Sequence, residues 1–450
     1  MNKKRVLINN DNGRRDLLGL RLLEISLQRQ GFETAFCNRH NLRVKLRSFR
    51  PHALLAARGD NPVLREASAV CKVYVVPGEG GRQTKETMLS VFMGRGYSKL
   101  HSVEWISRCY LWSKKTKDWL LETDLFKAEQ LSVVGNPRLD IYRSQDTIKP
   151  LRSSVDRLFR LGVAVSATST SSYYGHPHFA QVYHDDVHKD MEFPIVAPGR
   201  HFEDIVWRDH AILRRTIHTV KRYLESDIGD IWLRPNPLEG IGEYKFLEDM
   251  YPGRVHVMSE QTLPEFLCGV DTLLTCWSTT GLEALLLGLP TISISGTIDQ
   301  EHLFRHISAR ASGFETFVPF YHLPNTEDEL FSLIELAKKG NLDASPKPPS
   351  EVAHLLKQSY NWPSVEPASD LIAKDLVNDL ANCGEASSKE WRQSIPMNYG
   401  IPVRLAAAYI SVRSFIKAIL SGEFKSYSAF LTTKDPKVEA LIRKAVGSLK

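Results

Sequence analysis

The sequence predicts an α/β protein built from two doubly wound parallel-sheet units that face a cleft. Three observations predict it: short β-rich runs alternate with helical ones, several of those runs are apolar at consecutive positions, and a polar bridge separates two such series. Alternation at this rhythm calls for parallel strands joined by crossover helices. Consecutive apolar positions are expected where helices cover both faces of a sheet.

The first series runs RVLINN, then DLLGLRLLEISLQRQG; HALLAA, then NPVLREASAV; VYVVP; RCYLWS, then KKTKDWLLET; and LSVVG, then PRLDIY. The bridge RSQDTIKPLRSS follows. The second series is LGVAVSAT, a long helix around AILRRTIHTVKRYLES, IWLRPNP, VHVMS, DTLLTCWS and LPTISIS, with helices between. The expected division is a first α/β unit over 1–150, a second over 151–345, and a helical extension over 346–450 with a basic amphipathic tail. Ligands of open α/β sheets sit outside the carboxyl ends of the strands, so the strand exits are where chemistry is expected.

Composition narrows the class. With 450 residues, 42% apolar and 24% charged, the chain has material for two globular units. The basic start MNKKRVLINN is followed by no apolar leader, and no run of eighteen apolar residues occurs, so a cytoplasmic protein is expected. Six cysteines (Cys37, Cys71, Cys109, Cys268, Cys276, Cys383) form no CxxC pair and read as reduced, mostly buried thiols. Residues 401–450 carry nine Lys/Arg against three Asp/Glu, which accounts for the whole net charge of +6. The remainder is near neutral, which argues against a nucleic-acid partner.

The stretch DTLLTCWSTTGLEALLLGLPTI carries the strongest signal. A strand is expected to end at Trp277, and Ser278, Thr279, Thr280 and Gly281 then open a helix containing Glu283. Hydroxyls and free N–H groups at a helix start favour a phosphate; a ligand-free N-cap reads from the same residues. In IWLRPNPLEG a buried-type strand ends in Arg234, Pro235, Asn236, Pro237 and Glu239, and Arg234 offers a planar fork for phosphate or carboxylate. An ordinary Pro-rich strand exit is the alternative. In the first unit, GEGG carries Glu79, and GNPRLD carries Asn136, Arg138 and Asp140; each carboxylate also reads as a helix-start or loop acid. The cluster His184, Asp185, Asp186, His188 has no fixed metal-ligand spacing, and a hydrated loop is preferred to a metal site.

Taken together, RRDLLGLRLLEISLQRQGFE, GEGG, CYLWSKKTKDWLLET, VVGNPRLDIY, WLRPNPLE and CWSTTGLEALLLGLPTI resemble the bacterial surface carbohydrate biosynthesis proteins, GT-B glycosyltransferases similar to the retaining β-Kdo transferases. The resemblance implies a CMP-activated sugar donor, a glycan or lipid-linked glycan acceptor, and neither metal nor other cofactor. It gives Asp140 and Glu79 catalytic roles as nucleophile and general acid/base. Arg234, Asn236, Glu239, Ser278, Thr279, Thr280, Gly281 and Glu283 would hold the nucleotide, while Asn136, Arg138 and Asp16 would support the acceptor side. Asn236 stands where the family usually has histidine, and an amide donates a hydrogen bond but carries no positive charge. A CDP-alditol phosphotransferase of the same layout, or a non-catalytic scaffold, would carry much of this pattern too.

In the tail, Leu405, Tyr409, Val412, Ile416 and Ile419 recur at helical spacing, and Arg404, Arg413 and Lys417 lie off that stripe. An apolar stripe with a basic surplus suits an anionic bilayer surface, so peripheral membrane contact through 401–450 is expected. Packing of the stripe back onto the first unit is the other reading.

Overall fold

The computed structural model describes residues 3–395 except 11–12, 39–40, 60, 78–87, 89–91, 93–102, 144–157, 165–201, 227–228, 237–238, 240–241, 259–260 and 300–313. The expectations placed on Glu79, on the His184–His188 cluster and on the basic tail lie outside the described residues.

The first lobe is a six-stranded sheet in the order β2-β1-β3-β4-β5-β6, made of Arg5–Asn9 (β1), Glu33–Cys37 (β2), Ala53–Ala56 (β3), Lys72–Val75 (β4), Arg108–Leu111 (β5) and Leu131–Val133 (β6). Every pairing is parallel. Helices α1 (Gly13–Arg29), α2 (Leu42–Phe49), α3 (Pro62–Ala67) and α4 (Lys114–Leu121) supply crossovers. Strand β2 was not among the expected strands; it is an edge strand whose residues are mostly half-buried, so its sequence ETAFC lacks the apolar run that marked the others.

The second lobe is a five-stranded parallel sheet in the order β11-β10-β7-β8-β9. Its strands are Arg160–Ala164 (β7), Asp230–Arg234 (β8), Val255–Val257 (β9), Thr272–Thr275 (β10) and Thr291–Ser293 (β11). Helices α5 (Phe202–Glu225), α6 (Gly242–Met250), α7 (Leu263–Cys268) and α8 (Thr280–Leu286) connect them. Strand β10 ends at Thr275, two residues before the expected end at Trp277, and the chain turns before α8 begins.

Alternation of side chains along β1 sorts the first core into two layers. Val6 and Ile8 join Leu20, Leu23 and Leu27 of α1 on one face, while Leu7 joins Leu42, Leu46 and Leu64 on the other. Leu18 and Leu22 of α1, one helical turn apart, face instead the cluster that holds the second sheet, together with Leu139 and Tyr142. One helix therefore belongs to both cores.

After α9 (Phe314–Phe317) and α10 (Glu327–Lys338), the chain returns to the first lobe through α11 (Pro349–Tyr360), α12 (Ala368–Leu380) and α13 (Ser388–Ser394). Ile372, Ala373, Leu376 and Leu380 make the apolar stripe of α12 and bury it against the first sheet beside α1. Its acids are paired from the strands beneath: Asp375 takes Tyr110 Oη at 2.6 Å and Arg108, and Asp379 takes Lys72 Nζ at 2.6 Å and Tyr74. Trp391 of α13 closes the opposite face. Packing of C-terminal helices onto the first lobe is thus carried by 349–394. Among the described residues no helix is long and apolar enough to cross a membrane, and all six cysteines are free thiols.

Candidate functional site

In an open parallel sheet the crevice forms where neighbouring connections leave in opposite directions. In the second sheet that point lies between β7 and β10, because β8 and β9 extend to one side of β7 and β10 and β11 to the other. The exit of β10 carries the STTG turn. Residues from Thr272 to Trp277 are buried, as are Gly281 to Leu285, and between them only Ser278, Thr279 and Thr280 are half-buried. Ser278 Oγ accepts from Thr280 N at 3.2 Å and donates to Thr280 Oγ1 at 2.9 Å. Thr279 occupies the N-cap position of α8 with its side chain making no cap hydrogen bond. The turn is backed by Tyr321, whose hydroxyl donates to the Ser278 carbonyl at 3.1 Å. A Cβ on Gly281 would collide with that ring, which is why glycine stands there.

The exit of β8, on the other side of β7, presents Arg234. Its guanidinium lies 5.8 Å from the centre of the Phe266 ring and donates from Nη1 to the Gln261 carbonyl at 2.6 Å. Asn236 and Glu239 are tied to each other: Glu239 N donates to the Asn236 carbonyl at 2.8 Å, and Asn236 N donates to Glu239 Oε2 at 3.3 Å. Tyr244 Oη donates to the same Glu239 oxygen at 2.8 Å. Glu239 is buried, so part of its expected nucleotide-binding capacity is spent on shaping this turn.

Glu283 was expected to help hold the nucleotide; in the structure its carboxylate is taken up by Arg138 and Tyr142. Both its oxygens serve the junction of the lobes: Arg138 pairs with Oε1, and Tyr142 Oη donates to Oε2 at 2.6 Å. Burial disfavours the Arg138 charge, but Glu283, with Tyr142 and Asp16, outweighs it and holds the guanidinium above its ordinary pKa. Burial, then the Glu283 charge, push the Tyr142 hydroxyl well up, so it stays a neutral donor. Asp16, buried in α1, and Asn136, whose Oδ1 accepts from Arg138 N at 3.0 Å, complete the frame. Gly19 of α1 brings the helix against the Arg138 backbone, where any Cβ would collide. GNPRLD and STTGLEA, the two most specific motifs, are therefore joined to each other. Since one follows β6 and the other β10, the carboxyl edges of the two sheets meet.

Asp140, expected as nucleophile, has a competing occupation. Its Oδ1 accepts from Ala368 N at 2.9 Å, and its Oδ2 from Ser369 N at 2.8 Å and Ser369 Oγ at 2.7 Å. These are the first backbone donors of α12, which has no cap of its own. Burial pushes the Asp140 carboxyl up to about 6, against the pull of those hydrogen bonds and of Arg143. Arg143 in turn lies 5.4 Å from the Trp362 ring and donates to the Ser364 carbonyl. The 3-10 turn Pro137–Arg143 thus ties α1, α8 and the returning strap together. Pairing of Asp140 with Glu79 lies outside the described residues, and so does any role of Glu79.

Sequence reasoning missed Tyr142, Tyr321, Asn9 and Asn10. The two asparagines had a signal, since they end an otherwise apolar strand run with two consecutive amides; the tyrosines had none beyond ordinary aromatic spacing. Among the described residues no group of three or more His, Cys, Asp or Glu is placed to hold a metal ion.

Comparison with protein-family models found no match, and comparison with curated proteins found none. Solved structures do match. The wall teichoic acid polymerase TagF aligns over 84% of this chain and 89% of its own at 10% identity, with a TM-score of 0.50; a variant of it, with the same coverage and identity, scores 0.52. The UDP co-structure of S. aureus MnaA aligns over 84% of this chain and 97% of its own at 12% identity, with a TM-score of 0.47. The two-sheet build and the likeness to TagF together show a GT-B fold.

Proposed function

We propose that this chain is a glycosyltransferase that holds a nucleotide-activated sugar at the carboxyl edge of the second sheet and transfers the sugar to a surface glycan or lipid-linked glycan. The observation that carries the reading is the STTG turn: three half-buried hydroxyl residues at the switch point of an otherwise buried sheet, braced by Tyr321, with Arg234 at the exit of β8 on the same sheet edge. Such a turn offers hydroxyls and helix-start N–H groups to a phosphate, and Arg234 adds positive charge to a leaving nucleotide as the sugar–oxygen bond breaks. The donor proposed is a CMP-sugar, Kdo-like in class, used without a metal. Retention of configuration would require a carboxylate nucleophile, and Asp140 could serve only after releasing the start of α12. Calorimetric titration of CMP, CDP, UDP and GDP tests the reading, and a protein that binds none of them sinks it.

A second reading, transfer of an alditol phosphate from a CDP-activated donor, draws support from the fold shared with TagF. The mass of the product separates the two, because the second leaves a phosphate on the acceptor. Contact of residues 401–450 with an anionic membrane, on the cytoplasmic side where lipid-linked acceptors would be met, belongs to the same proposal.

A further inference from the structure

The first sheet has its own switch point, between β1 and β3, since β2 lies on one side of β1 and β3 to β6 on the other. Two asparagines occupy it. Asn9 closes β1, paired in register with Cys37 and Ala56, and Asn10 N donates to the Cys37 carbonyl at 2.8 Å. These residues are 7% and 3% exposed, and among the described residues neither Oδ1 has a hydrogen-bond partner. A buried amide oxygen left without a donor is costly, and two of them on successive residues at one strand end are hard to reconcile with a structural role. This strand end lies on the sheet edge that meets the second lobe, and helix α1, which follows it, packs its Leu18 and Leu22 against the second lobe's core.

We propose that the carboxyl end of β1 is a binding subsite for a hydroxyl-rich ligand, a sugar or polyol, whose hydroxyls donate to Asn9 Oδ1 and Asn10 Oδ1. The chemistry selects the class: two buried acceptors at one strand end require donors, a hydroxyl supplies one without adding charge, and a ligand carrying several hydroxyls on one carbon chain can reach both. The subsite would be the acceptor's if the chain is a glycosyltransferase, and that assignment rests on the proposed function; the binding itself does not.

The test uses the full chain with three probes, methyl β-D-glucopyranoside, N-acetylglucosamine and glycerol, followed by saturation-transfer NMR, with CMP affinity and the thermal unfolding midpoint measured alongside. The wild type is expected to give saturable transfer to at least one probe. Asn9→Leu and Asn10→Leu are expected to weaken that binding at least tenfold while leaving CMP affinity unchanged, because each removes the acceptor to which a ligand hydroxyl would donate. Should the leucine variants not fold, Asn9→Ser and Asn10→Ser carry the same comparison. Wild-type protein that binds no probe, which would leave ordered water as the occupant, overturns the proposal. Folded variants that bind the probes as the wild type does also overturn it. Loss of CMP binding by the wild type would instead count against the proposed function and leave the probe result standing.

Discussion

Replacement of Arg138 by methionine tests the junction of the lobes. Arg138 and Glu283 are 13% and 5% exposed, so water cannot take over for a missing partner. With the guanidinium gone, Glu283 keeps one hydrogen bond, from Tyr142, and remains a buried carboxylate without a counter-charge. Breaking a buried pair from one side costs about 3–5 kcal/mol, whereas an exposed pair is worth about 1 kcal/mol or less. The expected loss for Arg138→Met therefore lies near the upper range. Glu283→Gln should cost less, because Asp16 still faces the stranded guanidinium. The double variant should be less destabilised than the two singles summed, with a coupling energy of about 2–3 kcal/mol. Urea denaturation followed by tryptophan fluorescence measures all four proteins. Since the pair joins two cores, unfolding of the single variants should also spread into two transitions. Single-variant losses below about 1 kcal/mol, with additive double-variant behaviour, would refute the reasoning.

Three further outcomes follow from the same contacts. Ser278→Ala with Thr279→Ala should weaken binding of the preferred nucleotide by roughly 1–3 kcal/mol in calorimetry, for hydrogen bonds lost to a charged group; unchanged affinity with the fold intact removes the phosphate role. Gly281→Ala should push Tyr321 away from the Ser278 carbonyl, destabilise the protein by about 1–3 kcal/mol through overpacking, and lower nucleotide affinity with it; a silent substitution means the turn is not braced as described. For Asp140 the folded pKa, pushed up to about 6 by burial, exceeds the ordinary carboxyl value of 3.8. Its contribution is therefore fully present below about pH 4 and is lost as pH rises through 6, so wild-type stability relative to Asp140→Asn should increase on acidification from pH 7 to pH 4, by up to about 3 kcal/mol. A difference that is flat with pH would contradict it.

The parts of the fold that were legible are those whose cause is local. Strands such as HALLAA and VYVVP announced themselves because both of their faces are covered, and β2 did not, because its residues at the sheet edge are mostly half-buried and need no continuous apolar run. The STTG turn was legible for the same reason, since a buried strand followed at once by hydroxyls is a local contrast.

What could not be read is what depends on partners far along the chain. Glu283 meets Arg138 across 145 residues, and Asp140 meets Ser369 across 229. Local sequence gives each carboxylate the same description, an acid in the first turn of a helical segment. Only the meeting of the two sheet edges decides that one neutralises a buried guanidinium and the other holds the start of a returning helix. The same meeting gives the specific motifs a physical reason independent of catalysis. If the lobes are to move against each other during a reaction, the 3-10 turn Pro137–Arg143 must either remain fixed as a pivot or give up contacts with α1, α8 and the strap together. Its buried ion pair makes the second course costly.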